Sequence, residues 1–170
     1  LDWGSELNMP LNRNDHLLLN YIRGLNKILE EEWQTNARKL GLTLAELHVM
    51  WIVNSKNQLS VSDIAKIGLW DRSTVMQMIK RLQEKGLVRM IKSEKDLRVT
   101  YVELTPKGKE KREQSRQKEF KLFEFLHSYE KNNEQWMTEF CRFYREVNRY
   151  FHGDEFVDWV EETTEKYEKL

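Results

Sequence analysis

Two side chains three residues apart, Gln77 and Lys80, carry the chemistry most readily assigned to this chain. A carboxamide presents a donor and an acceptor side by side, the pair that complements the exposed edge of adenine in a major groove, and an amine reaches guanine or a phosphate. The spacing predicts a helix over 72–85, with Val75, Ile79 and Leu82 at i, i+4 and i+7 on an inward stripe. At about 100° per residue, Ser73, Met76, Gln77 and Lys80 then fall on the opposite face. Arg72 stands at the start of that helix, and Ser73 or Thr74 offers a hydroxyl to a sugar-phosphate backbone. Such a set forms hydrogen bonds and ion pairs and breaks no covalent bond. Taken alone, it describes equally well an ordinary amphipathic helix with a solvated face.

The segment that follows tips the reading. Residues 87–91 and 99–104 are rich in β-branched and large apolar side chains, as paired strands should be, and they bracket Lys92-Ser93-Glu94-Lys95-Asp96-Leu97-Arg98. A hairpin tip rich in cations beside such a helix suits a minor groove, where an arginine responds to groove width and negative potential. Arg98 is the candidate for that contact, with Lys92 and Lys95 beside it. Asp96 cannot attract a phosphate, so its expected task is to brace the Arg98 guanidinium by a charge-assisted hydrogen bond.

Elements must hold these groups in place, and their boundaries are written in the sequence. Ser60 caps a short helix carrying Ile64, Ala65 and Ile67, with Asp63 at the third helical position, and Gly68 is expected to supply a left-handed exit. Asp71 caps the next helix and Gly86 ends it. Upstream, Thr43 and Glu46 make a capping box for a helix bearing Leu44, Leu47, His48 and Trp51. Before that, Ile22, Leu25, Leu29, Trp33 and Leu40 mark a long first helix. Thr105 and Pro106 open a helix after the hairpin. The expected fold class is mainly α, a winged helix-turn-helix with a two-stranded β-wing and long N- and C-terminal dimerisation helices. Three parts are expected: 13–58 for support and dimerisation, 59–108 as the reading core, and 109–170 as C-terminal dimerisation helices.

The run DIAKIGLWDRSTVMQMIKRLQEKGLVR, the Asp96-Leu97-Arg98 triplet and the closing Leu104-Thr105-Pro106-Lys107-Gly108 resemble the winged-helix core of the MarR family of bacterial transcriptional regulators. Within the family, Glu32-Trp33, His48 with the rest of HVMWI, and the segment YFHGDEFVDW at 150–159 are similar to the Hpr (ScoC) protease-production regulators. The resemblance implies a dimeric, DNA-binding repressor of exoprotease and stationary-phase or sporulation genes. Some members sense oxidants through a cysteine in the first helix; the first helix here has none, and the single cysteine is Cys141.

Charge is balanced overall, with 28 Lys and Arg against 28 Asp and Glu, but it is segregated. Residues 71–112 hold twelve cations against six anions, whereas 130–170 hold six against eleven, so a positive reading head faces away from an acidic far end. No apolar run approaches the roughly 18 residues needed to span a bilayer, and no secretory signal pattern is present, so a cytoplasmic protein without membrane contact is expected. One cysteine excludes an intramolecular disulfide framework and fits a reducing compartment. Leu1 in place of an initiator Met points to residues upstream.

Twelve of the nineteen aromatic residues lie between positions 120 and 159, more than one helical layer leaves in water. Trp136, Phe140, Phe143, Val147 and Tyr150 recur there at helical spacing. Pairing with a second copy is the expected solution, through Leu25, Trp33, Trp136, Phe140, Phe143, Phe156 and Trp159.

Enzymatic readings lack residues. There is no G-x-G-x-x-G, P-loop, H-E-x-x-H or cysteine pair, and the seven glycines are dispersed. His48 reads as a packed histidine, and His152 with Asp154, Glu155 and Asp158 reads as a helix break and an acidic helix start in preference to a metal site. No cofactor or metal is expected. The sequence thus points to a homodimeric regulator that grips a pseudo-palindromic double-stranded operator and blocks polymerase, with two alternatives. One is a regulator switched by a small-molecule effector that the residues do not specify; the other is a protein-interaction module that has lost DNA binding.

Overall fold

A computed structural model describes residues 12–56, 58–93, 96, 98–116 and 120–167, and of 165–167 the backbone only. The order of elements is α1 (Arg13–Lys39), α2 (Leu44–Ser55), β1 (Leu59–Ser60), α3 (Val61–Gly68), α4 (Arg72–Glu84), β2 (Val88–Lys92), β3 (Thr100–Leu104), α5 (Pro106–Arg116), α6 (Lys121–Glu130), α7 (Trp136–His152) and α8 (Asp154–Tyr167). The mainly helical winged helix-turn-helix expected from the sequence is the fold observed.

Side-chain caps set the helix starts. Asn12, Thr43 and Ser60 each accept from the backbone two or three residues on, while Asp15, Glu46 and Asp63 reach back to the capping residue, closing three capping boxes on α1, α2 and α3. The exit from α3 differs from expectation. Gly68 is still helical, and Leu69 takes the left-handed conformation with φ 57°. The glycine serves contact instead: a Cβ there would lie 2.2 Å from the Trp70 ring, which folds back against the helix end. Gly86 does take the left-handed position, φ 71°, ending α4 as expected.

The wing is one strand wider than the sequence suggested. β2 and β3 pair antiparallel with Val88 opposite Leu104 and Lys92 opposite Thr100, and the two-residue β1 adds to the outer edge of β3 through Leu59 and Val102. Two residues carry no alternation to detect.

The core lies under the reading head. Ile64, Val75, Ile79, Leu82, Val102, Val49 and Met50 are fully enclosed, and every buried apolar residue but Val157 falls within 37–104 among the described residues. α2 runs through the middle. Its Leu47, Val49, Met50, Ile52 and Val53 are buried on all sides, while the expected stripe residues Leu44, His48 and Trp51 sit half-buried at its rim. A helix apolar all round belongs inside a core. Trp51 Nε1 donates to Ser115 Oγ at 3.0 Å, tying α5 to that rim.

Outside this unit the helices bury little of themselves. Among the described residues none on α6 or α7 is buried, and on α1 only Asn36 and Ala37 at its end are. Gly153, φ 81°, breaks α7 from α8 where the sequence expected it, and α8 folds back on the head. There Trp159 Nε1 donates to Ser55 Oγ at 2.9 Å, and Lys66 and Lys56 pair with Glu155 and Glu162. No helix among the described residues is long and apolar enough to cross a membrane.

Candidate nucleic-acid interface

The outward face of α4 is built by its cap. Asp71 accepts the Thr74 amide at 2.8 Å and also both neighbouring hydroxyls, from Ser73 and from Thr74 at 2.6 Å. These side-chain hydrogen bonds, Ser73 first and then Thr74, hold the Asp71 carboxyl well below the usual carboxylate range. Without DNA both hydroxyls donate to Asp71 and brace the first turn of the helix, the turn where Ser73 and Thr74 are expected to meet a sugar-phosphate backbone.

Beyond that turn, Met76, Gln77 and Lys80 are exposed together, with Arg72 at the helix start, while Val75, Met78, Ile79 and Leu82 face the core. The helix therefore presents a carboxamide, a thioether and two cations on one side, as the spacing indicated.

The wing supplies the second part. Arg98 Nε and Nη2 donate to the two oxygens of Asp96 at 3.1 and 3.2 Å, and the Arg98 amide donates to the same carboxylate at 3.0 Å. The guanidinium hydrogen bonds and then the amide lower the Asp96 pKa, keeping the brace charged. Arg98 remains 90% exposed in its side chain, so the brace orients it without burying it. Ser93 closes the base of the tip, its amide donating to the Val99 carbonyl and its hydroxyl accepting from the Asp96 amide. Lys92 is exposed at the end of β2. Lys95 lies outside the described residues.

Between the two parts runs a cleft of about 210 Å³, lined by Ser60, which caps α3, Ser62 of α3, Arg72 and Met76 of α4, and Arg98 and Thr100 of the wing. Sequence spacing placed the two arginines 26 positions apart and gave no sign that they share one cleft.

Several cations counted toward the positive head serve elsewhere. Arg89 pairs across the strands with Glu103 at 2.9 Å, and Gln58 donates to the same carboxylate; the Arg89 hydrogen bonds, then Gln58, lower its pKa. Lys85, Lys107 and Lys111 donate to Glu46 and to main-chain carbonyls, and Arg112 lies over the Trp51 ring at 5.3 Å. Among the described residues, the exposed cations on the reading side include Arg72, Lys80, Arg81, Lys92 and Arg98.

Residues 42–100, which run from α2 to the first residue of β3, match the MarR family. They form a MarR-family winged helix. The matched relatives include the HTH-type transcriptional regulator Hpr of Halalkalibacterium halodurans, 39% identical over 95 residues, which are 56% of this chain and 50% of that protein. The DNA-binding transcriptional repressor ScoC of Bacillus subtilis is 39% identical over 88 residues, 52% of this chain and 43% of its own. The chain spans about half the length of the curated relatives it matches. Among solved structures, a mutant MarR from E. coli complexed with operator DNA superposes with a TM-score of 0.67 at 20% identity, covering 82% of this chain and 99% of that one. The transcriptional regulator BldR from Sulfolobus solfataricus superposes with a TM-score of 0.63 at 21% identity, covering 82% and 99%. These structures share the fold. The matched relatives are named as transcriptional regulators.

Around the MarR-family unit, the residues assigned to pairing between chains divide into two groups. Trp33 meets His48 edge to face at 4.8 Å, and Trp159 is bonded to Ser55, so these two seat α1 and α8 on their own core. Burial lowers the His48 pKa, in keeping with a packed, neutral ring. Phe143 is half exposed, the Trp136 and Phe140 rings meet at a tilt with centroids 5.3 Å apart without being buried, and Leu25 and Phe156 are half-buried. At the α7–α8 break, Asp154 pairs with Arg149 and Glu155 with Lys66, so these carboxylates answer cations. Cys141 is exposed on α7.

Proposed function

We propose that this chain is a sequence-specific, double-stranded-DNA-binding transcriptional regulator that works as a homodimer in the cytoplasm. The observation that carries the proposal is one surface: Gln77 and Lys80 exposed on a capped helix, with Arg98 braced by Asp96 across a cleft from Arg72. In this reading α4 enters a major groove, where Gln77 pairs with an adenine edge and Lys80 takes guanine or phosphate. Met76 supplies apolar contact to a thymine methyl, Arg72 and Lys92 hold phosphates, and Arg98 enters the adjacent minor groove. Lys95, which lies between Lys92 and Arg98 in the sequence, belongs with the phosphate contacts.

Pairing is supported by exposed apolar side chains on the outer helices: Leu17, Leu18 and Tyr21 on α1, and Phe143, Tyr150 and Phe151 on α7. Surface of this kind in a regulator is covered by a second copy, through these residues with Leu25, Trp136, Phe140 and Phe156. Two heads related by a two-fold axis read a pseudo-palindromic operator, with half-sites about one helical turn or a multiple apart. Likeness to Hpr and ScoC supports repression by steric exclusion of polymerase, and a target set of exoprotease, stationary-phase or sporulation genes.

A second reading, a repressor released by a small molecule, is favoured by a cleft of about 330 Å³ where α3 meets the α7–α8 break, lined by Lys66, Leu69, His152, Glu155 and Phe156. That volume suits a small ligand held between head and outer helices. A genome-wide map of bound sites tests the proposal: discrete promoter sites sharing an inverted repeat support it, and the absence of any enriched site overturns it. Loss of the repeat pattern upon adding a metabolite extract would favour the second reading.

A further inference from the structure

Three lysines converge where α1 and α4 end. Lys85, the residue that ends α4, donates from Nζ to Glu46 Oε2 at 2.7 Å and to the Gly41 carbonyl at 3.0 Å. Glu46 is 1% exposed, and the same Oε2 accepts the Thr43 amide that starts α2. Lys107 donates to the Lys85 carbonyl at 3.0 Å, Thr105 to the Gly86 carbonyl at 2.8 Å, and Lys111 to the Leu40 carbonyl at 3.2 Å. Leu40 and Gly41 terminate α1. Cationic side chains therefore tie the carbonyl end of α1 to the carbonyl end of α4, where each also opposes the negative end of a helix dipole.

The geometry gives this knot leverage. α1 has 27 residues, and at 1.5 Å per residue it reaches about 40 Å from the knot, so a 5° change there moves its far end by about 3.5 Å. That far end carries the exposed Leu17, Leu18, Leu19 and Tyr21. A second copy held on α1 has its recognition helix placed by the angle between α1 and α4, and one base pair of operator spacing corresponds to about 3.4 Å and 34°. The two distances are of one size. We propose that Glu46 and Lys85 are positioning residues that set which half-site spacing the dimer accepts, while making no contact with DNA themselves.

Burial explains why this pair suits the task. Glu46 is buried while the Lys85 side chain is 38% exposed, so the ion pair is weak evidence for stability, but its geometry is constrained: moving Lys85 away from Glu46 leaves a buried carboxylate without its cation. An apolar contact at the same place would permit sliding.

The inference rests on the dimeric DNA-binding reading, and the experiment separates the two. Wild type, the double variant Glu46→Gln with Lys85→Met, and Lys85→Arg are each bound to one palindromic duplex series at fixed salt. The spacer between half-sites is lengthened or shortened by one or two base pairs, and a duplex with a single half-site completes the series. Wild type should lose roughly tenfold or more in affinity for a one-base-pair change, the double variant less than about threefold, with single-half-site binding equal in both. Lys85→Arg, which keeps the cation, should restore the wild-type preference. Spacing selectivity retained in full by a folded double variant overturns the inference. Wild type that binds one half-site as well as two overturns the dimeric reading beneath it. Lys111→Met, which cuts only the tie to Leu40 and leaves the Glu46–Lys85 pair intact, should relax the preference in part; it carries the test alone if circular dichroism shows the double variant unfolded, and unchanged selectivity then overturns the inference.

Discussion

Val75, Ile79 and Leu82 on α4 are fully enclosed, whereas Phe143, Tyr150 and Phe151 on α7 are half to two-thirds exposed, although both helices carry an apolar stripe at helical spacing. What separates them is the presence of an opposing layer. α4 packs against α2, α3 and β2, so its stripe closes a core within one chain. α7 packs chiefly against α8, and its outer rings meet one another, as in the Tyr150–Phe151 and Phe143–Tyr144 contacts. A periodic stripe specifies that a helix has an inside; it does not specify whether the same chain supplies what lies there. In this molecule the reading head completes itself and the outer helices do not, and we attribute the remainder to a second copy.

The comparison breaks most visibly through matched truncations. Ile79→Ala should cost about 2 to 5 kcal/mol of stability, since it opens a cavity in a site with no exposure. Phe143→Ala should change the stability of the dilute chain by no more than about 0.5 kcal/mol, yet raise the concentration at which light scattering gives twice the chain mass. Equal losses of melting temperature for the two variants at low concentration would erase the distinction.

On the reading side, Arg98→Ala should weaken duplex binding by roughly 1 to 3 kcal/mol, measured by anisotropy at one salt concentration, with the melting curve little changed. Unaltered affinity would remove the wing from the interface. Gln77→Ala should act more narrowly: discrimination falls by about 1 to 3 kcal/mol at one symmetric pair of operator positions, while nonspecific affinity holds. Competition with duplexes mutated at each position reads this directly.

The smallest effect concerns pH. Burial raises the Glu46 pKa, but the hydrogen bonds from Lys85 and from the Thr43 amide outweigh it and leave the pKa lowered. A lowered carboxyl pKa contributes stability that is fully present above the ordinary glutamate range and is lost as pH falls through the folded value. Glu46→Gln should therefore flatten the acid side of the stability profile and leave its shape near pH 7 unchanged. A profile that keeps its acid slope would show that other carboxylates set it.

Most of the fold was legible because its signals are local. Ser60 with Asp63, Thr43 with Glu46, and Asp96 with Arg98 lie within three residues of each other, so residue type and spacing suffice to pair them. The two-residue β1 was not legible, since it forms only because β3 offers an edge. Leu69 in place of Gly68 at the left-handed exit depends on where the Trp70 ring lies, a packing fact. The site divides in the same way. The face of α4 followed from periodicity, but the employment of Lys85, 39 positions from Glu46, and of Trp159, 104 positions from Ser55, did not. Cations counted from the sequence thus include several that hold the fold together, and aromatics counted the same way include Trp33 and Trp159, which seat outer helices on the core.

The central claim, that two self-contained heads on a shared helical layer read a symmetric duplex through α4 and the wing, is tested most directly by selection from randomised double-stranded DNA with the wild-type chain at fixed salt. The account expects enrichment of an inverted repeat whose half-site centres lie about one helical turn or a multiple apart, with a conserved adenine at one matching position in each half for Gln77. Enrichment of a single unrepeated half-site, or of no sequence above the nonspecific background, would contradict it.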